Sequence, residues 1–419
     1  MASHTHWKNI RLGDVAKVIS GFAFKSKDFQ QEGIPIIKIK NIRVGAVDLS
    51  EVDYVDSSFL SLDSKYHVKG GDILISLTGS HLTQPNSVVG RVALQSLSLG
   101  HCLLNQRAGK IILTKPDICH KLFLFYSIYT EEKRREIALM ALGAASQANV
   151  SPSQVESVEI KLPPLPIQRK IAAILSAYDR LIENNTRRIE ILEEMARSIY
   201  REWFVKFRFP GHEQAQMVDS ELGLIPEGWE VKKFGEVSLN FDNKRKPLSS
   251  LQRAKISGKY PYYGAAKIFD YINNYIFEGR YLLVAEDGSV ITKDRRPVLQ
   301  LVDEKFWVNN HTHVIQGKEP ISTNYLYLFM SDLDISGYIT GAAQPKINQT
   351  NLNRIPIIVP RQIVLKQFNA IIDSLLIQVK NLKLKNDNLR KTRDLLLPRL
   401  ISGEIDVENL DIKTGEIAA

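Results

Sequence analysis

His311 and His313 stand on either side of Thr312, and Glu286, Asp287 and Lys293 follow one another closely. The two imidazoles could hold a metal, and the carboxylates with the ammonium could serve a nuclease. Neither grouping is complete. Two imidazoles without a third ligand make a poor metal site, and Glu286-Asp287-Gly288 reads better as the turn that closes a strand. The sequence also lacks a phosphate loop ending in Gly-Lys-Ser or Gly-Lys-Thr, an HExxH, a GxSxG, a GxGxxG and a paired CxxC. Neither Asn-Pro-Pro nor Asp-Pro-Pro occurs to suggest amino-group methyl transfer. The expectation is a chain with no catalytic residues, no metal and no directly bound cofactor.

Donor-rich loops are what the chain does carry. In its first half these are Lys25 and Lys27 after the turn at Gly21, then Lys38, Lys40, Asn41 and Arg43 at a strand end. Thr78, Ser80, His81, Gln84, Asn86 and Arg91 populate one loop, and Asn105, Gln106 and Arg107 another. The second half offers Lys244, Arg245 and Lys246, then Tyr262 and Tyr263, then Lys293, Arg295 and Arg296, and finally Asn309, Asn310 and His311. Lysine and arginine neutralise phosphates. Arginine, asparagine and glutamine supply the two-pronged bonds that tell guanine from adenine in a major groove. Any one of these side chains is more often an ordinary exposed polar group, so it is their recurrence in both halves that points to double-stranded DNA.

Charge agrees with a polyanionic partner: 55 Lys and Arg against 46 Asp and Glu leave a formal +9. The chain has 419 residues, 44% of them apolar, enough for two or three domains with real cores. No apolar run is long enough to span a membrane and the first twenty residues lack a secretory pattern, so the expected location is the cytoplasm. Cys102 and Cys119 read as ordinary buried thiols.

The elements that must position the loops repeat. Trp7, Leu12, Gly13, Asp14 and Val15 of WKNIRLGDV return as Trp229, Phe234, Gly235, Glu236 and Val237 of WEVKKFGEV, an offset of 222. GAASQANVSPSQV from Gly143 is echoed by GAAQPKINQTNL from Gly341, with Gln147 and Gln344 offset by 197. Each echo runs to a proline, Pro163 or Pro360, and then to a long helix. So long a period indicates duplication of a whole domain plus helix.

In the first helix Ile171, Leu175, Tyr178, Ile182, Asn185, Ile189, Leu192, Ala196, Ile199 and Trp203 alternate steps of four and three. Phe368, Ile372, Leu375, Val379, Leu382, Asn386 and Leu389 do so in the second, and the pattern weakens at Arg393 before Leu396 and Leu400. At about 1.5 Å per residue each rod runs roughly 55 Å. Only burial of the stripe stabilises such a helix, and the natural partner is the other copy; the alternative is that each packs on its own domain. Spacing leaves the direction of pairing open. Asn185 and Asn386 would cost stability yet set register. The second rod carries eight basic and three acidic residues between Val364 and Leu400, the first seven and six between Ile167 and Trp203.

Strands are expected over Ile34 to Ile42, Gly71 to Gly79 and Gly109 to Lys115, and a helix over His120 to Leu139. The second copy offers strands over Tyr281 to Gly288, Arg296 to Val302 and Thr312 to Gly317, and a helix over Asn324 to Leu333. The fold class is therefore α+β, with mixed β structure in two domains, at 1–162 and 208–358. Long helices occupy 163–207 and 359–403, residues 208–228 form a linker and 404–419 a loose tail.

These residues resemble the DNA-specificity subunit of type I restriction-modification enzymes. GWEVKKFGEV and HWKNIRLGDV are similar to its domain openings. LPPLPIQRKIAAILSAYDRLIENNTRRIEILEEMARSIYREWFVKF, and QFNAIIDSLL through LLLPRLISGEI, are similar to its two conserved helices. YPYYGAAKIFDYI, LLVAEDGS, WVNNHTHV and TGAAQPKINQ resemble one type of target-recognition domain; GDILISLTG with LLNQRAGKI resembles another. The resemblance implies two target-recognition domains held apart by an antiparallel coiled coil, each reading one half of a bipartite, asymmetric DNA target. It further implies two methyltransferase subunits using S-adenosylmethionine, and restriction subunits using ATP and Mg. Its motif positions fall on Asn105, Gln106, Arg107 and Gln147, and on Tyr262, Tyr263, Gly264, Asp287, Gly288, Asn310, His311, Gln344 and Lys346, with Gly264 and Gly288 serving turns and Asp287 capping one. The first opening departs from the family pattern, with Lys8 and Asn9 after Trp7 and no preceding glycine. Two alternatives remain at this stage: a stand-alone nuclease or methylase with a diverged site, or a coiled-coil scaffold carrying protein-binding modules.

Overall fold

The computed structural model describes residues 7–80, 88–144, 147–341 and 344–414, with the backbone alone for 142–144 and 147. The chain folds as two compact units, residues 1–184 with 386–419 and residues 185–385. Each unit thus takes half of each long helix, the division falling beside Asn185 and Asn386.

In the first unit a five-stranded sheet runs in the order Ala16–Ser20, Ala108–Leu113, Ile73–Ser76, Val92–Leu94, Gly45–Ala46. Ile73–Ser76 is buried throughout, which is why it reads as an unbroken apolar run rather than an alternating one. A second five-stranded sheet contains Ile34–Ile37 and Cys102–Leu104. The strand expected to reach Ile42 stops at Ile37, because Asn41 closes the turn that follows. The helix expected over His120 to Leu139 is two helices, Lys121–Tyr129 and Glu131–Leu139, since the Thr130 side chain accepts the Lys133 amide and starts the second. Fully buried Gln168 fixes the first of these to the long helix. Its Oε1 accepts the His120 amide at 2.8 Å and its Nε2 donates to the carbonyls of Ile118 and Pro163.

The second unit has a six-stranded sheet in the order Ser238–Asn240, Thr312–Gly317, Phe277–Ala285, Leu299–Val308, Ser257–Tyr263, Ile268–Ile272. Helix Thr323–Asp332 packs on it, capped by Ser322. The segment read as a linker is folded instead: Met217–Ser220 pairs with Gly223–Pro226, and Phe209 and Ile225 enter the core. Likewise the described part of the tail is anchored, with Val407 buried in the first unit's core and Ile405 and Ile412 packed on it. Apolar residues spaced among acidic ones carried too little periodicity to announce either arrangement.

The duplication extends to strand register. Lys8 pairs with Leu162 as Glu230 pairs with Val359, offsets of 222 and 197. Val18 pairs with Ile111 as Asn240 pairs with Ile315, and Ile73 with Ile111 as Leu282 with Ile315, adding offsets of 204 and 209.

The long helices run Leu165–Tyr200, continued by a wide turn Arg201–Val205, and Gln362–Ser402. In the first unit Ile171 and Leu175 share a core with Leu397 and Leu400, and Asn386 Nδ2 donates to the Ile182 carbonyl at 3.3 Å. In the second, Ile189 and Leu192 meet Val379 and Leu382, while Phe204 crosses Phe368 with ring centres 4.7 Å apart. Numbers rise along one helix as they fall along the other, so within each unit the pairing is antiparallel.

Candidate nucleic-acid interface

Each sheet ends in a tip built from the same backbone bonds. In the second unit the Glu286 amide donates to the His311 carbonyl, Ile347 to Glu286 and Asn309 to Tyr263, at 2.9, 2.9 and 3.0 Å. In the first, Leu77 donates to Arg107, Val150 to Leu77 and Asn105 to Ile37, at 3.0, 2.9 and 3.0 Å. Asn105-Gln106-Arg107 and Asn309-Asn310-His311 are therefore the same turn. Its asparagine faces inward: Oδ1 of Asn105 accepts the Arg107 amide, and Oδ1 of Asn309 accepts the His311 amide. The next two residues, Gln106 with Arg107 and Asn310 with His311, are exposed. Beside the first tip, Gln147 lies in a strand between Leu142–Ala144 and Thr78–Gly79. Beside the second lie exposed Gln344 and Lys346, the latter bridged to Asp287.

The second tip stands on a cluster of half-buried charged groups around buried His313. Arg245 donates to Glu286 at 2.7 Å and to the carbonyls of Asn310 and Thr312, and approaches Asp242 at 3.5 Å. His313, 1% exposed, meets Asp242 through Nδ1 at 2.5 Å and the Ile347 carbonyl through Nε2. Asp242 also accepts the Val314 amide. Burial pushes the Asp242 carboxyl up, but its bonds from His313, Val314 and Asn240 outweigh this and hold it below its ordinary value. Asp242, Glu286 and His313 come close enough to hold a metal ion. The Arg245 guanidinium already lies among them, with Lys346 3.5 Å from Glu286, so the carboxylates have their cations. Outside this cluster His311 Nδ1 lies 2.6 Å from Asp287. Asp242 carried no signal in the sequence, since its partner His313 is 71 residues away.

Several of the expected contact residues have partners within the fold. Asn41, 2% exposed, spends its amide on the carbonyls of Asp48 and Glu51. Asn105 holds its own turn, Thr78 is buried, and Arg245 is committed to the network. Tyr262 and Tyr263 are core residues, their hydroxyls bonded to the Leu248 amide and to Glu304. Arg91 is half-buried in a cleft with Tyr129, Arg134 and Leu397. Ser80 is half-buried. Lys38 and Lys40 share Asp53 at 3.1 Å, and Arg43 pairs with Asp48. Lys25, Lys27, Lys244, Lys246 and Lys293 are exposed. Arg295 pairs with Asp334 and Arg296 with Asp332, both arginines in the loop that the Ile291–Pro297 bridge closes. His81, Gln84 and Asn86 lie outside the described residues, as do residues 415–419.

Residues 5–194 and 226–389 match the family model for the type I restriction modification DNA specificity domain. The chain belongs to that family. It is 26% identical over 422 residues to the MjaIX specificity subunit of Methanocaldococcus jannaschii, covering 96% of this chain and 94% of that one. The protein named putative type I restriction enzyme specificity subunit S.HindORF215P of Haemophilus influenzae is 38% identical over 156 residues, 37% of this chain and 40% of that one. The solved type I S subunit of M. genitalium shares the fold, with a TM-score of 0.58 at 16% identity over 96% and 97% of the two chains. This is the family that the openings, helices and tip segments resemble.

Proposed function

We propose that this specificity subunit reads a bipartite, asymmetric DNA sequence without catalysing any reaction itself, each unit recognising one half. The observation that carries the reading is the tip pair: one backbone frame presents Gln106 and Arg107 in one unit and Asn310 and His311 in the other. Equal frames with unequal donors are what two dissimilar half-sites require, because base identity is read by donor and acceptor pattern. Lys25, Lys27, Lys244 and Lys246 supply charge for phosphates near these tips, fixing position rather than sequence. The two long helices act as the spacer ruler and as the docking surface for two methyltransferase subunits. S-adenosylmethionine serves those subunits, and ATP and Mg serve restriction subunits in the full cytoplasmic complex. No helix among the described residues is long and apolar enough to cross a membrane.

Methylation-sensitive sequencing of DNA from cells expressing the chain with its neighbouring methyltransferase tests this. The expected mark is two unlike half-sequences around an unread gap. A single continuous palindrome would refute it.

A further inference from the structure

The two helix seams superpose at one offset. Adding 197 carries Ile171 to Phe368, Leu175 to Ile372, Ile182 to Val379 and Leu192 to Leu389. Such similar rods raise a pairing problem: each could pair with its own kind from a second copy of the chain nearly as well as with its intended partner. Polar residues in a seam decide such contests, because a mismatched pairing buries them without their partners.

One charged pair breaks the likeness, in addition to the seam amides Asn185 and Asn386, which stand where the other helix has Leu382 and Ile189. In the first unit Arg393 takes a seam position, and its guanidinium meets Asp179 at 2.5 Å with side-chain exposures of 13% and 34%. Asp179 also accepts the Tyr126 hydroxyl at 2.6 Å, and Arg393 donates to the Tyr129 hydroxyl at 3.1 Å. At the same offset of 197, Asp179 corresponds to Leu376 and Arg393 to Ala196. Both of these are buried in the apolar core of the second unit. One layer is thus an ion pair in one unit and leucine with alanine in the other.

We propose that Asp179 and Arg393 are the partner-selecting lock of the helix pair, excluding like-with-like pairing with a second copy of this chain. The antiparallel register gives the consequence directly. If first helices from two copies paired, Asp179 would face Ala196. If second helices paired, Arg393 would face Leu376. Either arrangement sets a charge against an apolar side chain, and only first helix with second helix joins the two charges. The lock adds to the role of the helices in the proposed function but does not depend on DNA being read.

The test co-expresses two full-length copies with different affinity tags, captures one and quantifies the other. Wild type is expected to recover the second tag at background. D179L/R393A gives this layer the apolar residue types the second unit already uses, and is expected to raise recovery at least tenfold. R393A alone removes one of the two penalties and falls between. The charge-reversed D179R/R393D restores the pair and returns to background. A flat series, or mixing in the charge-reversed variant equal to that of D179L/R393A, overturns the proposal. Because R393A and the reversed variant each give a reading, the outcome does not hang on one variant folding.

Discussion

At the position where the second unit has half-buried Glu286, the first has Leu77; where the second has His313, the first has Gly109. The backbone bonds around both tips are the same, so the contrast isolates what side chains contribute. In the first unit a Cβ on Gly109 would already come within 3.1 Å of the Ile75 and Leu77 side chains, which close the tip with apolar packing. In the second, Arg245, Asp242, Glu286 and His313 close it with charge-assisted bonds that reach the carbonyls of Asn310 and Thr312. A frame that tolerates either interior leaves its exposed residues free to vary, which suits a module whose readout must differ between copies.

The largest effect should come from removing the cation. Arg245→Ala leaves Asp242 and Glu286 in a nearly closed site without their shared guanidinium, at a cost on the order of 3–5 kcal/mol. Hydrogen exchange should accelerate in Phe277–Ala285 and Thr312–Gly317, with Ile73–Ser76 and Ala108–Leu113 unchanged. Equal acceleration in both sets would break the comparison, since it would mean that the network supports more than its own tip.

The asymmetry was only partly legible in the sequence. Both seams, the duplication and the two donor-rich loops could be read from local spacing, because helical stripes and repeated segments leave marks in the sequence. Which donors turn inward could not. Asn41 and Arg245 look like loop donors until the chain brings Glu51 to the first and Glu286, 41 residues away, to the second. Arg393 looked like a weakening of the seam for the same reason, its partner Asp179 being 214 residues distant. The expectation of one helix over His120 to Leu139 took no account of Thr130, whose side chain caps the second of the two helices. The hairpin at 217–226 and buried Val407 rest on tertiary packing of short segments that carry no periodicity of their own.

A middle-sized effect sharpens the comparison at the surface. Q106A/R107A and N310A/H311A remove exposed side chains and should each shift stability by no more than about 0.5 kcal/mol. Each should relax discrimination at one half-site by about 1–3 kcal/mol per lost two-pronged contact, leaving the other half intact. Competition binding with duplexes altered in one half at a time measures this. Relaxation of both halves by either variant would show that the tips do not read separately.

The smallest effect is the pH dependence that the charge network confers on the second unit. The Asp242 carboxyl lies below its ordinary value in the folded protein, because the bonds from His313, Val314 and Asn240 outweigh the opposing push of burial. A depressed folded value stabilises the protein above the unfolded carboxylate range, near pH 3.9, and that contribution vanishes as pH falls through the lower folded value. Asp242→Asn should therefore flatten the acid limb of stability measured on the second unit's strands. The first unit carries Ser20 at the matching position, offset by 222, so its acid limb should be the same in wild type and variant. Urea unfolding followed between pH 5 and 3 separates the two. If Asp242→Asn leaves the second unit's acid limb as steep as before, the carboxylate is not what ties that tip to pH, and the contrast with the apolar tip of the first unit lies in packing alone.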